Sequence, residues 1–368
     1  KLPEGVEVRH RDDLDLVQKA LRETDGVSAI VYEQTCATEK RRRRKRGTFP
    51  DPDKRVFINQ EVCEGCGDCS VQSNCMSVVP LETELGRKRQ IDQSTCNKDF
   101  SCVKGYCPSF VTVKGAKVAT RISGDASKLD AMLATLPEPA AAPLDKTFSM
   151  VVAGIGGTGV LTVGALIGMA AHLEGKGCTV LDMTGMAQKG GAVTSHIRIA
   201  SSPDALGSTR LSFGHSDVIM ACDAIVGSSQ DVLKTIIPGH TRAIVNADVT
   251  PTGEFHRNRD ARYDDRELVA VIERALRGGQ LDHLHASSLS TAFMGDSIGT
   301  NVLMLGYAVQ KGLLPLSVAS LEEAIRLNGT FVKGNLRIFA IGRLAAIALD
   351  ELKRMIAPPP AKLEDMGL

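Results

Sequence analysis

The second half of the chain alternates short apolar runs with longer segments of helical periodicity. Apolar side chains that recur every three to four residues predict helices, whereas short continuous apolar runs predict buried strands. The predicted strands are 148–153, 179–182, 218–221 and 243–246. The predicted helices are 160–173, 267–276, 300–310, 321–327 and 335–355. Strands separated by helices predict an α/β domain with a mostly parallel, doubly wound sheet.

The first half of the chain has a different texture. Residues 1–36 contain one helical pattern and one apolar strand candidate at 27–32, which is too little to fold alone. Seven consecutive basic residues follow at 40–46 and are predicted to form a loop that faces solvent or an anion, and the Gly and Pro residues after them also predict a loop. Residues 116–146 are rich in Pro and Ala and are predicted to be a linker.

Composition narrows the class of protein. A chain of 368 residues is long enough for two or three domains, and 43% hydrophobic with 24% charged residues is ordinary for a globular protein. No apolar run approaches the roughly 18–20 residues of a membrane helix. A net charge of +1, with no aromatic residues between the basic ones, argues against a nucleic-acid partner.

Cysteine usage is the informative part of the composition. Seven of the ten cysteines fall between Cys63 and Cys107. The polar start has no secretory signal pattern, so we expect a cytoplasmic protein with reduced thiols and metal or cluster ligation rather than disulfides. We also expect the chain to begin inside a folded unit of a longer or processed protein.

The first cysteine group has the spacing of an iron–sulfur loop. Cys63, Cys66 and Cys69 follow one another at two-residue intervals, which lets three thiolates converge on one face of a cubane. In two-cluster ferredoxins the fourth ligand is the cysteine before a proline in the other half, and here Cys107 precedes Pro108. The spacing predicts one [4Fe–4S] cluster; the alternative is zinc, which usually uses two separate Cys-x2-Cys pairs.

A second, irregular group predicts a second cluster. Cys96, Asp99 and Cys102 repeat the two-residue spacing with a carboxylate in the middle, and Cys75 completes the set. Carboxylate binds iron less strongly than thiolate, so such a centre would lose one iron readily. The alternative is that these cysteines are packing residues and that Asp99 caps a helix or lies in a loop.

A glycine loop opens the α/β domain. Gly154, Gly156, Gly157 and Gly159 follow a predicted strand and begin a predicted helix, with Asp182 after the next strand. This arrangement is typical of a dinucleotide-binding turn, and it is also typical of a tight turn packed against a neighbouring subunit. Polar residues after that strand indicate either an active-site loop or a surface hairpin. They are Gln188, Lys189, Gly190, Gly191, Ser195, His196 and Arg198.

Together these motifs resemble the indolepyruvate (aryl-2-oxoacid) ferredoxin oxidoreductases of the large bacterial fused type, within the 2-oxoacid:ferredoxin oxidoreductase superfamily. The resemblance implies the end of a thiamine-diphosphate-binding domain at 1–46, a ferredoxin-like α+β iron–sulfur domain at 55–115, a linker at 116–146, a Rossmann-like catalytic γ domain at 147–357 and a tail at 358–368. The matching segments are 33–37 with the basic run, 63–108, 154–160, 188–193 and 327–343.

The resemblance implies oxidative decarboxylation of an arylpyruvate. Thiamine diphosphate and Mg²⁺ would act in an upstream domain, electrons would pass through the clusters to ferredoxin, and the acyl group would pass to coenzyme A. The diphosphate-binding motif and its activating glutamate are missing from this sequence, so we expect this chain alone to be inactive. A homodimer is also expected. The γ domain of the family has the glycine loop without a nicotinamide role, which weakens the dinucleotide interpretation.

Two other functions fit the same residues. The chain can be a non-catalytic electron-transfer or assembly subunit. It can also be an iron–sulfur oxidoreductase that binds NAD(P) or flavin at the glycine loop. Activity with NADH separates the last of these from the oxoacid oxidoreductase.

Overall fold

The computed structural model describes residues 3, 5–116, 126–185, 191–250, 258 and 261–356. The chain divides into two compact units. The first unit comprises residues 1–52 and 97–99, and the second comprises residues 53–96 and 100–368. The cysteine-rich segment, apart from residues 97–99, and the predicted γ domain therefore belong to one unit.

The first unit contains two helices, α1 (Leu14–Arg22) and α2 (Ala37–Lys45). The basic run was predicted to be a loop, but most of it lies in α2, where Arg43 pairs with Glu39 one turn earlier. The predicted strand at 27–32 is wrong, since these described residues form no strand. Val27 and Val31 are fully or almost fully exposed. An extended segment without a neighbouring strand forms no interstrand hydrogen bonds and is not stable as a β-strand.

In the second unit, residues 53–96 and 100–116, which we call the cysteine module, form two small antiparallel sheets. Strand β1 (Lys54–Ile58) pairs with β4 (Phe110–Lys114), and β2 (Val78–Thr83) pairs with β3 (Gly86–Ile91) in a hairpin. One short helix, α3 (Asp68–Ser73), follows the first cysteines. The pairing of the first and last strands closes the module on itself.

The remainder of the second unit is built on a six-stranded sheet. Its strands in chain order are β5 (Phe148–Ile155), β6 (Gly177–Thr184), β7 (Ala192–Ala200), β8 (Val218–Ala221), β9 (Arg242–Asn246) and β10 (Leu281–Leu284). The spatial order is β10-β9-β8-β5-β7-β6. Strand β7 runs antiparallel to both of its neighbours, and the other pairs are parallel. The predicted α/β sheet is confirmed, with β7 as an inserted antiparallel strand.

Helices cover both faces of this sheet. They are α4 (Ala126–Ala134), α5 (Val160–Leu173), α6 (Ala224–Gly227), α7 (Gln230–Leu233), α8 (Asp265–Leu276), α9 (Ala286–Met294), α10 (Thr300–Gln310), α11 (Val318–Asn328) and α12 (Val332–Ile356). Alternate residues of β5 enter separate cores: Met150 and Val152 join the larger one with α5, and Val151 joins the smaller one with α8. Because successive side chains of a strand point to opposite faces of the sheet, β5 contributes to the hydrophobic cores on both faces.

Two details modify the expected organisation. Part of the segment predicted to be a linker is helix α4, whose Leu129 is completely buried in the larger core. The end of the chain, 358–368, lies outside the described residues. Within the described ranges, every helix is too short or too polar to span a bilayer.

Candidate functional site

The first cysteine loop, Cys63 to Cys69, turns tightly against strand β3. Gly65 and Gly67 have φ angles of +73° and +86°. A Cβ atom on Gly65 would lie 2.2 Å from the carbonyl oxygen of Arg87, so only glycine allows this approach. The Gly65 amide donates to the Cys63 sulfur at 3.4 Å, the type of hydrogen bond that tunes iron–sulfur clusters.

The three thiols of this loop interact electrostatically. Burial raises the pKa of the Cys69 thiol, and the negative charges of Cys63 and Cys66 raise it further. The amide of Ser70 and the guanidinium of Arg89 lower it. The thiols of Cys63 and Cys66 therefore lie close enough to Cys69 to act on it electrostatically.

A cavity of about 280 Å³ opens beside helix α3. It is much larger than the roughly 30 Å³ that one water occupies in the liquid. Cys69, Cys102 and Cys107 line it together with Tyr106 and Phe110. The cavity therefore joins two predicted ligands of the first cluster with Cys102, which was assigned to the second.

The other predicted ligands are distributed differently. Cys75 and Cys96 are partly buried in the cysteine module, and the Cys96 amide donates to the carbonyl of Asp92 at 3.1 Å. Asp99 belongs to the first unit. Among the described residues, no three His, Cys, Asp or Glu side chains are grouped to hold a single metal ion. Ligands of a cubane bind different irons, so they are spaced more widely than ligands of one ion.

The glycine loop adopts the predicted strand–turn–helix geometry. Gly154 packs closely against the side chains of Val160 and Cys222. A Cβ atom at this position would lie 2.8 Å from Cγ2 of Val160 and 3.1 Å from Cβ of Cys222. Gly157 and Gly159 have positive φ angles of 86° and 102°. The Gly156 amide donates to the carbonyl of Gly191 at 2.8 Å and so is not directed at a ligand.

Helix α10 braces this loop from the side. Buried Asn301 donates to the Thr158 carbonyl at 3.2 Å, and the Thr158 hydroxyl donates to Ile155 at 2.7 Å. The brace fixes the start of α5, whose first-turn amides and positive dipole end favour an anion.

The strand order changes the meaning of Asp182. In a dinucleotide-binding turn, the acidic residue ends the strand next to the glycine loop. Here β7 lies between β5 and β6, so Asp182 ends a strand two positions away, or about 10 Å at ~4.8 Å per strand. This separation argues against ribose binding by Asp182.

The polar residues of β7 have structural roles. His196 is buried, its Nδ1 accepts from the Leu211 amide at 3.0 Å, and burial lowers its pKa. Arg198 donates to the Ser208 carbonyl at 2.7 Å. Both side chains hold the connection after β7, so the expectation of an active-site loop does not apply to them. Ser195 is completely buried, and residues Gln188, Lys189 and Gly190 lie outside the described residues.

Polar groups that the sequence analysis did not single out line the carboxyl edge of the sheet. Burial raises the pKa of Asp223, which follows β8, to about 6, although its carboxylate accepts from backbone amides such as that of Val226. Asn246 at the end of β9 donates to the Cys222 carbonyl at 3.1 Å. Asp248 and His285 pair at 3.1 Å, and this contact raises the pKa of His285. Asp223 and Asp248 lie two residues after predicted strands, which was the available signal for them, whereas no strand was predicted before His285.

The cysteine module contacts the same part of the unit. The hydroxyls of Ser94 and Ser297 lie 2.9 Å apart, and Arg87 donates to the carbonyl of Ala261 at 2.8 Å. Ser297 immediately precedes helix α10, which braces the glycine loop. The module is therefore anchored near the edge that carries the glycine loop.

Residues 149–345 match the family described as pyruvate ferredoxin/flavodoxin oxidoreductase. This range covers more than half of the chain and contains all six strands of the sheet except Phe148, the first residue of β5. The chain belongs to the pyruvate ferredoxin/flavodoxin oxidoreductase family. The predicted family resemblance is confirmed.

Similar proteins of known name are indolepyruvate oxidoreductase subunits. The IorB subunit of Archaeoglobus fulgidus is 28% identical over 205 residues, which is 54% of this chain and 96% of that subunit. The IorB subunit of Pyrococcus horikoshii is 27% identical over 205 residues, which is 55% of this chain and 96% of that subunit.

Two solved structures are also similar. The γ subunit of a keto/oxoacid ferredoxin oxidoreductase from Geobacter sulfurreducens has 19% identity and a TM-score of 0.39, covering 55% of this chain and 99% of that one. A 2-oxoglutarate:ferredoxin oxidoreductase from Magnetococcus marinus, solved with 2-oxoglutarate, coenzyme A and succinyl-CoA, has 20% identity and a TM-score of 0.42, covering 55% of this chain and 32% of that one.

Proposed function

We propose that this chain is the γ-type domain and an iron–sulfur electron-transfer module of an arylpyruvate (indolepyruvate) ferredoxin oxidoreductase. The observation that carries the proposal is the combination, in one compact unit, of a family-matching sheet domain and a cysteine loop built for sulfur ligation. The names of the related indolepyruvate oxidoreductase subunits support the choice of an aromatic oxoacid.

The residues of the first loop fit a [4Fe–4S] cluster. Cys63, Cys66 and Cys69 would hold three irons, and Cys107, which shares the cavity with Cys69, would hold the fourth. When bound, this cluster supplies one-electron transfer. The glycine turns and the Gly65 amide keep the thiols in position, and the burial of Cys63 excludes water from one side.

A second cluster, or an oxygen-labile one, would use Cys75, Cys96 and Cys102. Cys102 lines the same cavity as Cys69 and Cys107. A second assignment to test is therefore that Cys102 binds the first cluster instead of the second. The role of Asp99 stays a prediction from the sequence. An Asp99→Cys variant that gains oxidation resistance would support it, and an unchanged iron count in Asp99→Ala would contradict it.

In the whole enzyme, the reaction would convert an arylpyruvate, coenzyme A and two oxidised ferredoxins to an aryl-acetyl thioester, CO₂, a proton and two reduced ferredoxins. Thiamine diphosphate with Mg²⁺, held in a domain outside these residues, supplies the decarboxylation chemistry. Residues 1–46 would form the end of that domain. This chain would contribute electron transfer, and the edge of its six-stranded sheet would contact the other domains.

The glycine loop would contact a neighbouring domain or a phosphate of coenzyme A rather than NAD. The hydrogen bond from Asn301 and the helix N-terminus at the start of α5 support anion binding, and the distance of β6 from β5 disfavours a nicotinamide nucleotide. Tight NADH binding that is lost in Asp182→Ala would overturn this proposal. A cytoplasmic homodimer that delivers electrons to ferredoxin completes the proposal.

The proposal is tested first by iron analysis. The 368-residue chain is purified anaerobically, reconstituted with iron and sulfide, and characterised by absorbance and electron paramagnetic resonance. Cys66→Ala should lose the iron and the brown absorbance of one cluster. Cys178→Ala, which removes a partly buried thiol in β6, serves as the matched control and should keep both. Full iron with unchanged spectra in Cys66→Ala would contradict the cluster.

Activity is tested with the partner domains present. Combined with its thiamine-diphosphate-binding domains, the wild-type chain should support ferredoxin reduction by indolepyruvate and coenzyme A, and Cys66→Ala should not. Reduction of ferredoxin by NADH instead would favour the nucleotide-linked oxidoreductase. Electron transfer without oxoacid turnover would favour an assembly or electron-transfer subunit.

A further inference from the structure

A buried arginine lies against the first cysteine loop. Arg89, on strand β3, is only 2% exposed, while its neighbours Lys88 and Gln90 reach solvent to a greater extent. Along β3, Arg89 and Ile91 face inward because alternate residues of a strand share a face. A fully desolvated guanidinium is expensive and is kept where an opposite charge compensates it.

The predicted ligands act electrostatically on this guanidinium, which also donates to the Lys88 carbonyl at 3.2 Å. Burial lowers the pKa of Arg89, and the negative charges of Cys69, Cys63 and Cys66 raise it. The loop contacts the same strand through two other groups. Gly65 packs on the backbone of Arg87. The ammonium group of Lys88 donates a hydrogen bond to the Cys63 carbonyl at 2.6 Å. Strand β3 therefore lies against the cysteine loop, and the buried Arg89 directly follows the two residues that contact it.

We propose that Arg89 is a positioning residue that sets the reduction potential of the cluster held by Cys63, Cys66 and Cys69. The inference rests on the proposed cluster. Reduction adds one negative charge to the cluster, and a fixed positive charge in a poorly solvated environment stabilises that charge more than a surface cation does. Cluster potentials respond to local net charge, so Arg89 raises the potential.

The test is a redox titration of the reconstituted full chain. Arg89→Met roughly keeps the volume of the side chain and removes its charge. At the wild-type midpoint potential, the ratio of reduced to oxidised cluster should then fall about tenfold. This fall corresponds to a midpoint potential that is lower by ~59 mV for one electron. Arg89→Lys keeps the charge and should shift the ratio less than about threefold. Lys114→Gln removes one exposed charge from strand β4 and should leave the ratio within about twofold of wild type.

Each outcome decides the inference. An unchanged potential in Arg89→Met, or equal shifts in Arg89→Met and Lys114→Gln, would overturn it. If Arg89→Met loses iron, retention of iron by Arg89→Lys supports a need for the charge, and loss in both variants shows a purely structural role. A wild-type chain that binds no iron would refute the proposed cluster itself, a result distinct from an iron-bound chain with an insensitive potential.

Discussion

Strands β5 and β8 of the six-stranded sheet bury every one of their side chains, whereas β1 and β4 of the cysteine module bury only one, Val56. The sheet has a hydrophobic core on each face. The module buries few apolar side chains, such as Val56, Val78 and Ile91, and combines them with glycine turns, thiols and a buried arginine. Apolar burial of the first kind folds a domain without cofactors, whereas a module of this small size usually needs a metal or disulfides.

Iron removal should separate the two regions most strongly. In the reconstituted protein, a chelator should unfold the cysteine module and leave the sheet domain folded, because metal binding supplies folding free energy only where the ligands lie. We expect proteolytic cleavage within residues 53–116 to accelerate at least about tenfold, while residues 148–356 stay resistant. The cleavage sites are read by mass spectrometry. Equal resistance with and without iron would show that the module folds by apolar packing alone.

A close helix crossing tests the sheet domain by itself. A Cβ on Gly342 of α12 would lie within van der Waals overlap of the Leu303 carbonyl of α10. Gly342→Ala should lower the free energy of unfolding by about 3 kcal/mol, since a backbone contact cannot yield as a side chain can. Chemical denaturation measures the loss. The iron content should not change.

The matched control for that substitution is Gly168→Ala in helix α5. There the new methyl group would meet a methyl of Val180 at 3.2 Å, and the preference of helices for alanine offsets part of the contact. We expect a change of less than about 1 kcal/mol. Similar large losses in both variants would mean that helix packing in this domain tolerates no added volume anywhere.

A buried carboxylate at the sheet edge should be a net cost to stability. Burial raises the pKa of Asp223 to about 6, above its ordinary value of 3.8. The native state therefore binds the proton more tightly than the unfolded state, and ionisation destabilises the fold as the pH rises through about 6. Asp223→Asn keeps a helix-capping oxygen and should stabilise the protein by about 1–2 kcal/mol at pH 8. The gain should disappear as the pH falls towards about 4.

Denaturant midpoints of Asp223→Asn across that pH range check this prediction. Asp223→Ala is the control, because it removes both the charge and the cap and should not share the full gain. A loss of stability at pH 8 in Asp223→Asn would show that the ionised carboxylate is better satisfied than its burial indicates.

An effect similar in size to that of Asp223 is expected at the end of helix α5. Burial raises the pKa of Glu174, but hydrogen bonds from Lys176, Ser320 and Ser317 outweigh it and lower the pKa to about 2, below the ordinary 4.5. This contribution to stability is present above about pH 4.5 and is lost as the pH falls towards 2. Glu174→Gln should cost about 1–2 kcal/mol at pH 7, allowing for partial solvent screening.

The control for Glu174 is Glu323→Gln, which disrupts only an exposed ion pair with Arg326 and should change stability by less than about 0.5 kcal/mol. A pH-independent loss in Glu174→Gln would assign its role to hydrogen bonding rather than to charge. Neither substitution should alter iron binding, since both residues lie outside the cysteine module.

The sheet domain was largely predictable because local patterns and burial agree there. Helices α5 and α10 begin and end at the predicted residues, and strand β8 matches the prediction as well. The strand predicted at 27–32 failed because apolar residues form a strand only when a partner pairs with them. Strand order was also outside the reach of sequence patterns, which is why Asp182 resembled a ribose-binding residue.

The sequence by itself determined the chemistry available to this protein: the spacing of Cys63, Cys66 and Cys69, the glycine loop and the alternation of strands and helices. Only the tertiary structure decided which groups meet. It inserted β7 beside β5, brought Cys102 to the cavity of Cys69 and Cys107, and buried Arg89 on the strand that contacts the cysteine loop. Spacing along the chain constrains neighbours within a loop, whereas contacts between loops and strands depend on chain pairing and burial over long sequence separations.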